Sequence, residues 1–189
     1  MKLKPFLRVR LLSERLNMKS NRLLYPLVAA LFAAICAVCA QIIIPLPSGV
    51  PLTLQTLAVC LSGAVLGVKW GIISTLCYIL MGAVGVPVFS SFSSGFGVLF
   101  GPTGGFIFGF LFLTVFCALA KNQKKAVFKF LLIFVGVAFC HLTGIIQYSF
   151  VSKTPFLEAF LVSSSVFIPK DIISAFCALF VANRIYLKF

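Results

Sequence analysis

Apolar residues along this chain come in long runs, without the three-and-four spacing that marks an amphipathic helix. From Tyr25 to Ile44, and again from Phe128 to Gly144, no polar stripe recurs. Runs of about twenty residues match the length that crosses the hydrocarbon core of a bilayer at 1.5 Å per residue. Setting the runs against the breaks between them predicts helices near 24–44, 54–68, 70–88, 102–120, 127–150 and 169–187. The expected fold is an all-α integral membrane protein of six transmembrane helices, with residues 1–189 forming a single membrane domain. The first run is read as a permanent helix, because Leu23–Ile44 is too long for a signal-peptide core and further spans follow.

The breaks are of two kinds. One is basic: residues 1–22, Lys69, the cluster from Lys121 to Lys129, and the tail with Arg184 and Lys188. The other is nearly free of basic charge: Pro45–Thr53, Ser90–Gly101, and Val151–Ile168 with only Lys153 and Glu158. Six helices put the two kinds on opposite faces without exception. The basic class holds all but Lys153 and Lys170 of the 16 Lys and Arg, so the positive-inside rule places both termini in the cytoplasm. Residues 1–22 then form a basic cytoplasmic arm.

Composition sharpens this picture. The 189 residues are 61% hydrophobic and 10% charged, against roughly 25% charged in a soluble domain. A net charge of +13 would ordinarily raise nucleic acid as a partner. Its confinement to the ends of apolar runs points to orientation and acidic lipid headgroups instead. The seven Cys all lie inside apolar runs, an odd and dispersed set that offers no disulfide framework. Three acidic residues and one His, His141, cannot build a metal site or a catalytic cluster, and no phosphate-binding loop occurs. An enzyme is not expected, nor a resident cofactor or metal. His141 is expected to be a hydrogen-bonded packing residue.

Three features stand out from lipid-facing sequence. Small residues stripe the first helix: Ala29, Ala33, Ala37 and Ala40 on one face, Ala30 and Ala34 beside it. Such a stripe lets backbones approach, either within the chain or against another membrane subunit. Gly63-x-x-x-Gly67 and Gly101-x-x-x-Gly105-x-x-x-Gly109 are similar signals, better suited to internal packing. The stretch Ser90–Gly105 is rich in Gly, Ser and Phe and carries no charge, which suits a lid or pocket wall over a mostly apolar small molecule.

The last helix is expected to start at Pro169, with Asp171 at its positive end. Pro155–Ile168 then forms an apolar, Ser-rich segment over the outer face. Lys170 and Asp171 are the only adjacent pair of opposite charges beyond the basic arm, which holds Glu14-Arg15. Either Asp171 caps the helix while Lys170 snorkels to headgroups, or both face an outward-open pocket.

Pro51-Leu-Thr-Leu-Gln-Thr-Leu57, then Tyr78 and Gly85-Val-Pro-Val-Phe89, then Gly97-Val-Leu-Phe-Gly-Pro-Thr-Gly-Gly105, resembles the BioY family of biotin transporters in order and spacing. The likeness runs from about Ala29 to Asp171. It implies the substrate-binding component of an energy-coupling-factor transporter in the bacterial plasma membrane. Implied partners are biotin, a transmembrane coupling subunit and two ATPase subunits, although the chain could also work alone. Uptake of another vitamin by the same architecture is the nearest alternative.

The resemblance also implies residues. Ala29, Ala30, Ala33 and Ala34 match the family's small-residue motif for docking the coupling subunit. Asp171 and Gln55 are expected to serve the ureido group, Tyr78, Phe92 and Phe96 the apolar walls, and Lys170 the carboxylate. Two departures stand out: Lys170 replaces a family glycine while Ser174 occupies the family's lysine position, and the loop after Phe89 carries Ser and Phe where glycines are usual.

Overall fold

The computed structural model describes residues 5–44 and 50–185, with side chains from Leu23 onward in the first helix. Lys2, Lys4, Lys188, the stretch 45–49 and the expected end of the last span lie outside the described residues. Helix α1 (Pro5–Gln41) continues through the basic arm into the first apolar run. It leads to β1 (Ile43–Ile44), paired antiparallel with β2 (Leu52–Thr53), a small ribbon the apolar pattern does not announce. Then come α2 (Gln55–Ala83), a 3-10 turn (Ser90–Phe92), α3 (Phe96–Leu99), α4 (Gly104–Lys121), α5 (Ala126–Ser152), α6 (Phe156–Ser163) and α7 (Phe167–Ala182). Among the described residues, the apolar part of α1, α2, α4 and α5 are each long and apolar enough to cross a membrane. The pair α6 and α7, bent by 52°, makes a fifth candidate. Large apolar side chains such as Leu27, Leu31, Leu80, Phe134 and Phe180 stand exposed on the outside, as a lipid-facing surface requires. The chain is an all-helical, multi-pass membrane protein.

Helix α2 is not a straight rod. Gln55 and Tyr78 are 23 residues apart, which in a continuous helix is about 34 Å, yet their side chains are hydrogen-bonded. The reversal is at Gly67, whose φ of 75° and ψ of −177° belong to a region open in practice only to glycine. The two arms, 55–66 and 68–83, lie back to back. A Cβ on Gly71 would sit 3.0 Å from the Gly63 Cα, and one on Gly63 would sit 2.2 Å from the Thr114 carbonyl oxygen. Both arms therefore pack glycine-close against each other and against α4, and the hydroxyls of Thr75 and Thr114 bond across that contact at 2.9 Å. The expected break at Lys69 falls at Gly67, and the paired glycines serve internal packing.

Elements that carry basic charge meet at one end. Gly67, Lys121, Asn122 and Asn183 line a common cleft, and Lys121 Nζ donates to Asn183 Oδ1 at 2.5 Å. Lys69 lies 5.7 Å above the Trp70 ring, which stacks on Tyr25 at 5.5 Å, an aromatic pair of the kind that sits at a membrane interface. At the opposite end Thr53, Ser90, Thr103 and Tyr148 surround the cavities described below.

Two boundaries differ from expectation. Helix α7 starts at Phe167, so Pro169 lies within its first turn, where its missing N–H breaks no helical bond, and Asp171 begins the second. The dipole, which acts over the first turn, is not what holds Asp171. Within Pro155–Ile168, expected as an apolar, Ser-rich segment outside the span, Phe156–Ser163 form α6, packed against α5, and Phe167 already begins α7.

Replacing Gly67 by Ala tests the reversal. A Cβ there meets nothing within 4 Å, so the penalty is backbone strain alone, about 1–3 kcal/mol. Thermal unfolding of the purified protein in detergent should drop measurably, and an unaltered midpoint would refute the hairpin.

Candidate functional site

A cavity opens between α2, α4, α5 and α7 at the end opposite the basic one. Its polar side is built from Gln55, Thr56, His141, Lys170 and Asp171, and its apolar side from Phe89, Phe106, Phe110 and Phe167. Apolar walls with a few converging polar groups are the usual make-up of a small-molecule site.

Asp171 is the centre of the polar side. It is 6% exposed and meets two partners: His141 Nε2 at 3.1 Å from Oδ2, and Lys170 Nζ at 2.5 Å from Oδ1. A carboxylate only accepts, so Nε2 is the nitrogen that carries the hydrogen. The other ring nitrogen, Nδ1, is 3.0 Å from the hydroxyl of Ser164, in the break between α6 and α7. The ring itself stands edge-on to Phe106, with centroids 5.6 Å apart. Oδ1 is engaged by the Lys170 ammonium in that ion pair and is shielded from solvent.

Successive residues on a helix point about 100° apart, so Lys170 reaches its neighbour only because its stem folds back. Its ammonium also donates to the Thr53 carbonyl at 2.9 Å and to the Thr56 hydroxyl at 3.0 Å. Those bonds tie α7 to β2 and to the start of α2. Lys170 does not snorkel toward headgroups.

A second layer fixes the walls. Gln55 Nε2 donates to the hydroxyl of Tyr78, which donates to the Val88 carbonyl at 3.1 Å. Gln41, the last residue of α1, donates to the Phe89 carbonyl at 3.0 Å and accepts from the Phe92 amide at 2.9 Å. From α5, Gln147 donates to the Leu99 and Gly101 carbonyls, both at 2.7 Å. Phe89 and the approach to α4 are held by glutamines from two different helices.

The expected residues separate into groups. Gln55, Lys170 and Asp171 line the cavity together. Tyr78 is fully buried beneath Gln55 and positions it without facing the cavity. Phe92 and Phe96 are 70% and 62% exposed and stand outside it. Ser91 and Phe92 adopt left-handed φ of 58° and 54°, and Gln41 holds the Phe92 amide there. The aromatic walls are Phe89, Phe106, Phe110 and Phe167 instead. Because the ammonium of Lys170 abuts Asp171, the two cannot attend to opposite ends of an extended ligand. His141 is hydrogen-bonded, as expected, but lines the cavity as well. His141, Ser164 and Gln41 have no flanking motif; the signal that could have found His141 is its being the chain's single histidine, set in an apolar run.

Helix α1 divides its alanines. Ala29, Ala33 and Ala40 are buried in the bundle, whereas Ala30 and Ala34 face outward beside Leu27, Leu31 and Val38. Ala29 and Ala33 are therefore occupied by internal packing, and the exposed small-residue face is Ala30 and Ala34.

Comparison with known proteins agrees with this architecture. The model of the BioY family matches residues 14–189. A probable biotin transporter BioY of Pyrococcus horikoshii is 38% identical over 159 residues, covering 84% of this chain and 93% of the relative. The biotin transporter BioY2 of Lactococcus lactis is 37% identical over 158 residues, covering 82% and 86%. The fold is also similar to a crystal structure at 2.1 Å of the S-component for biotin from an ECF-type ABC transporter. That match has a TM-score of 0.77 and 26% identity, and covers 87% of this chain and 92% of the other. The family is one of transporter components and not of enzymes. With its helical membrane fold, its cavity and these matches, the chain belongs to the BioY family.

Proposed function

We propose that this chain binds biotin in the Asp171 cavity from outside the cell and delivers it inward as the substrate component of an energy-coupling-factor transporter. The observation that carries this reading is the Asp171 carboxylate and Lys170 ammonium side by side in the lining of an aromatic-walled cavity. A urea presents an N–H donor next to a C=O acceptor. Asp171 would take the N–H and Lys170 the C=O, so both charged groups serve the ureido end. Phe106, Phe110 and Phe167 would flank the fused rings, with Gln55 and Thr56 completing the polar edge. The relatives named as biotin transporters favour this ligand over another vitamin.

Counting the two arms of α2 separately, and α6 with α7 as one bent crossing, yields six spans. An even number returns both termini to one side, and the basic end marks that side as cytoplasmic. The membrane would be the plasma membrane. The exposed Ala30 and Ala34 of α1 would meet the coupling subunit, which in turn joins two ATPase subunits.

Binding of radiolabelled biotin to the purified protein in detergent tests the central reading, and saturation by a different vitamin alone would overturn it. Asp171→Asn keeps shape but exchanges a charged acceptor for a neutral one, about 1.5–3 kcal/mol, a roughly tenfold to hundredfold loss of affinity. Lys170→Ala should weaken biotin and its uncharged amide equally, since the carboxylate is not its partner. Selective loss of biotin would instead assign Lys170 to the carboxylate.

Orientation is checked by cysteine labelling in a background lacking the seven native Cys. A cysteine at Ser94 should react from outside and one at Asn122 only after permeabilisation. For docking, Ala34→Trp should reduce co-purification with the coupling subunit while biotin still binds. Ala33→Trp, buried in the bundle, should lower stability of the isolated chain instead.

A further inference from the structure

A second cavity adjoins the first. The two share Val50, Pro51, Ser90 and Thr103 in their linings, and so lie against each other. Their depths differ along α5: the inner cavity touches it at Cys140 and His141, the outer at Tyr148 and Ser152. Tyr148 is two turns beyond His141, about 10 Å nearer the outer end. The charged cluster therefore lies deeper, and the outer cavity adjoins it as a mouth.

The chemistry of the mouth contrasts with that of the floor. Among the described residues its polar lining is hydroxyl: Ser90, Ser91, Ser93, Thr103, Tyr148 and Ser152, without a charged side chain. If the ureido ring of the ligand is engaged at Asp171, the valerate tail extends toward this mouth. A tail carboxylate arriving there meets hydroxyl donors and solvent but no cation. A neutral amide carbonyl accepts from the same hydroxyls, so replacing the carboxylate by an amide removes no ion pair. Open volume beyond the hydroxyls leaves room for a substituent on the amide nitrogen.

We infer that the outer cavity is a tail subsite that admits biotin conjugates extended through an amide at the valerate carboxyl, with Nε-biotinyl-lysine as the representative ligand. This rests on the proposed placement of the ureido group at Asp171. It goes further in making the chain selective for the ring system and permissive toward the tail.

Binding of biotin, biotinamide and Nε-biotinyl-lysine to the full chain in detergent, by competition against labelled biotin, is the test. Both amides should compete fully, with dissociation constants within about fivefold of biotin. Amides that bind more than about a hundredfold more weakly than biotin would overturn the inference while leaving biotin binding intact. Absence of biotin binding itself would remove the functional reading beneath it.

A second variant separates tail contact from fold. Gly97 lines the mouth, and a Cβ there meets nothing within 4 Å, so a large side chain can project into that space. Gly97→Trp should weaken Nε-biotinyl-lysine at least about tenfold more than it weakens biotin. Equal effects on both ligands, or none on either, would mean that the tail does not pass through this mouth.

Discussion

Asp171 sets a constraint that much of the outer half of the molecule satisfies. A carboxylate at this depth is tolerated only with partners, because desolvating it alone costs several kcal/mol. Here the partners come from different parts of the chain. His141 brings α5, and through Ser164 the break between α6 and α7. Lys170 brings β2 and the first turn of α2. Removing the acid would therefore loosen three helices at their outer ends. That Asp171, Lys170 and His141 also line the cavity is what makes the set a candidate site and not only a brace.

Deeper in the bundle the constraint is steric. The reversal at Gly67 lays two helical arms against α4 at backbone contact, with Gly63 and Gly71 where any side chain would collide. Further along α4, Gly109 approaches α5 so closely that a Cβ would lie 2.8 Å from Cys140 Cα. Lipid supplies no hydrophobic drive to bring helices together, so packing at this distance has to supply it. The same contacts place Gln55 over Tyr78 and Cys140 beside His141, and so shape the cavity floor.

The loop carrying Phe89 is held from two sides, by Tyr78 through Val88 and by Gln41 at the end of α1. Helix α1 is also the helix whose outward face keeps Ala30 and Ala34 free. One helix thus bears both a small-residue face toward lipid and a direct grip on a cavity wall.

By itself the sequence determined the membrane class, the alternation of basic and neutral breaks, and Asp171 as a residue needing explanation. These follow from length, composition and the cost of charge in lipid, which are local properties. It also narrowed the family, since paired motifs survive in linear order. The face of α1 that turns inward was not legible: periodicity groups Ala29 with Ala33 and Ala30 with Ala34, but only packing says which group is buried. Nor was the meeting of His141, Ser164 and Asp171, separated by 23 and 30 residues, because nothing in a run of apolar sequence records its partner across the bundle. Phe92 and Phe96 were misplaced for a related reason: two left-handed residues and a glutamine amide from α1 decide where that loop points. Lys170 could have reached headgroups, cavity or neighbour by length alone. Two acceptors supplied by tertiary structure, the Thr53 carbonyl and the Thr56 hydroxyl, decided it.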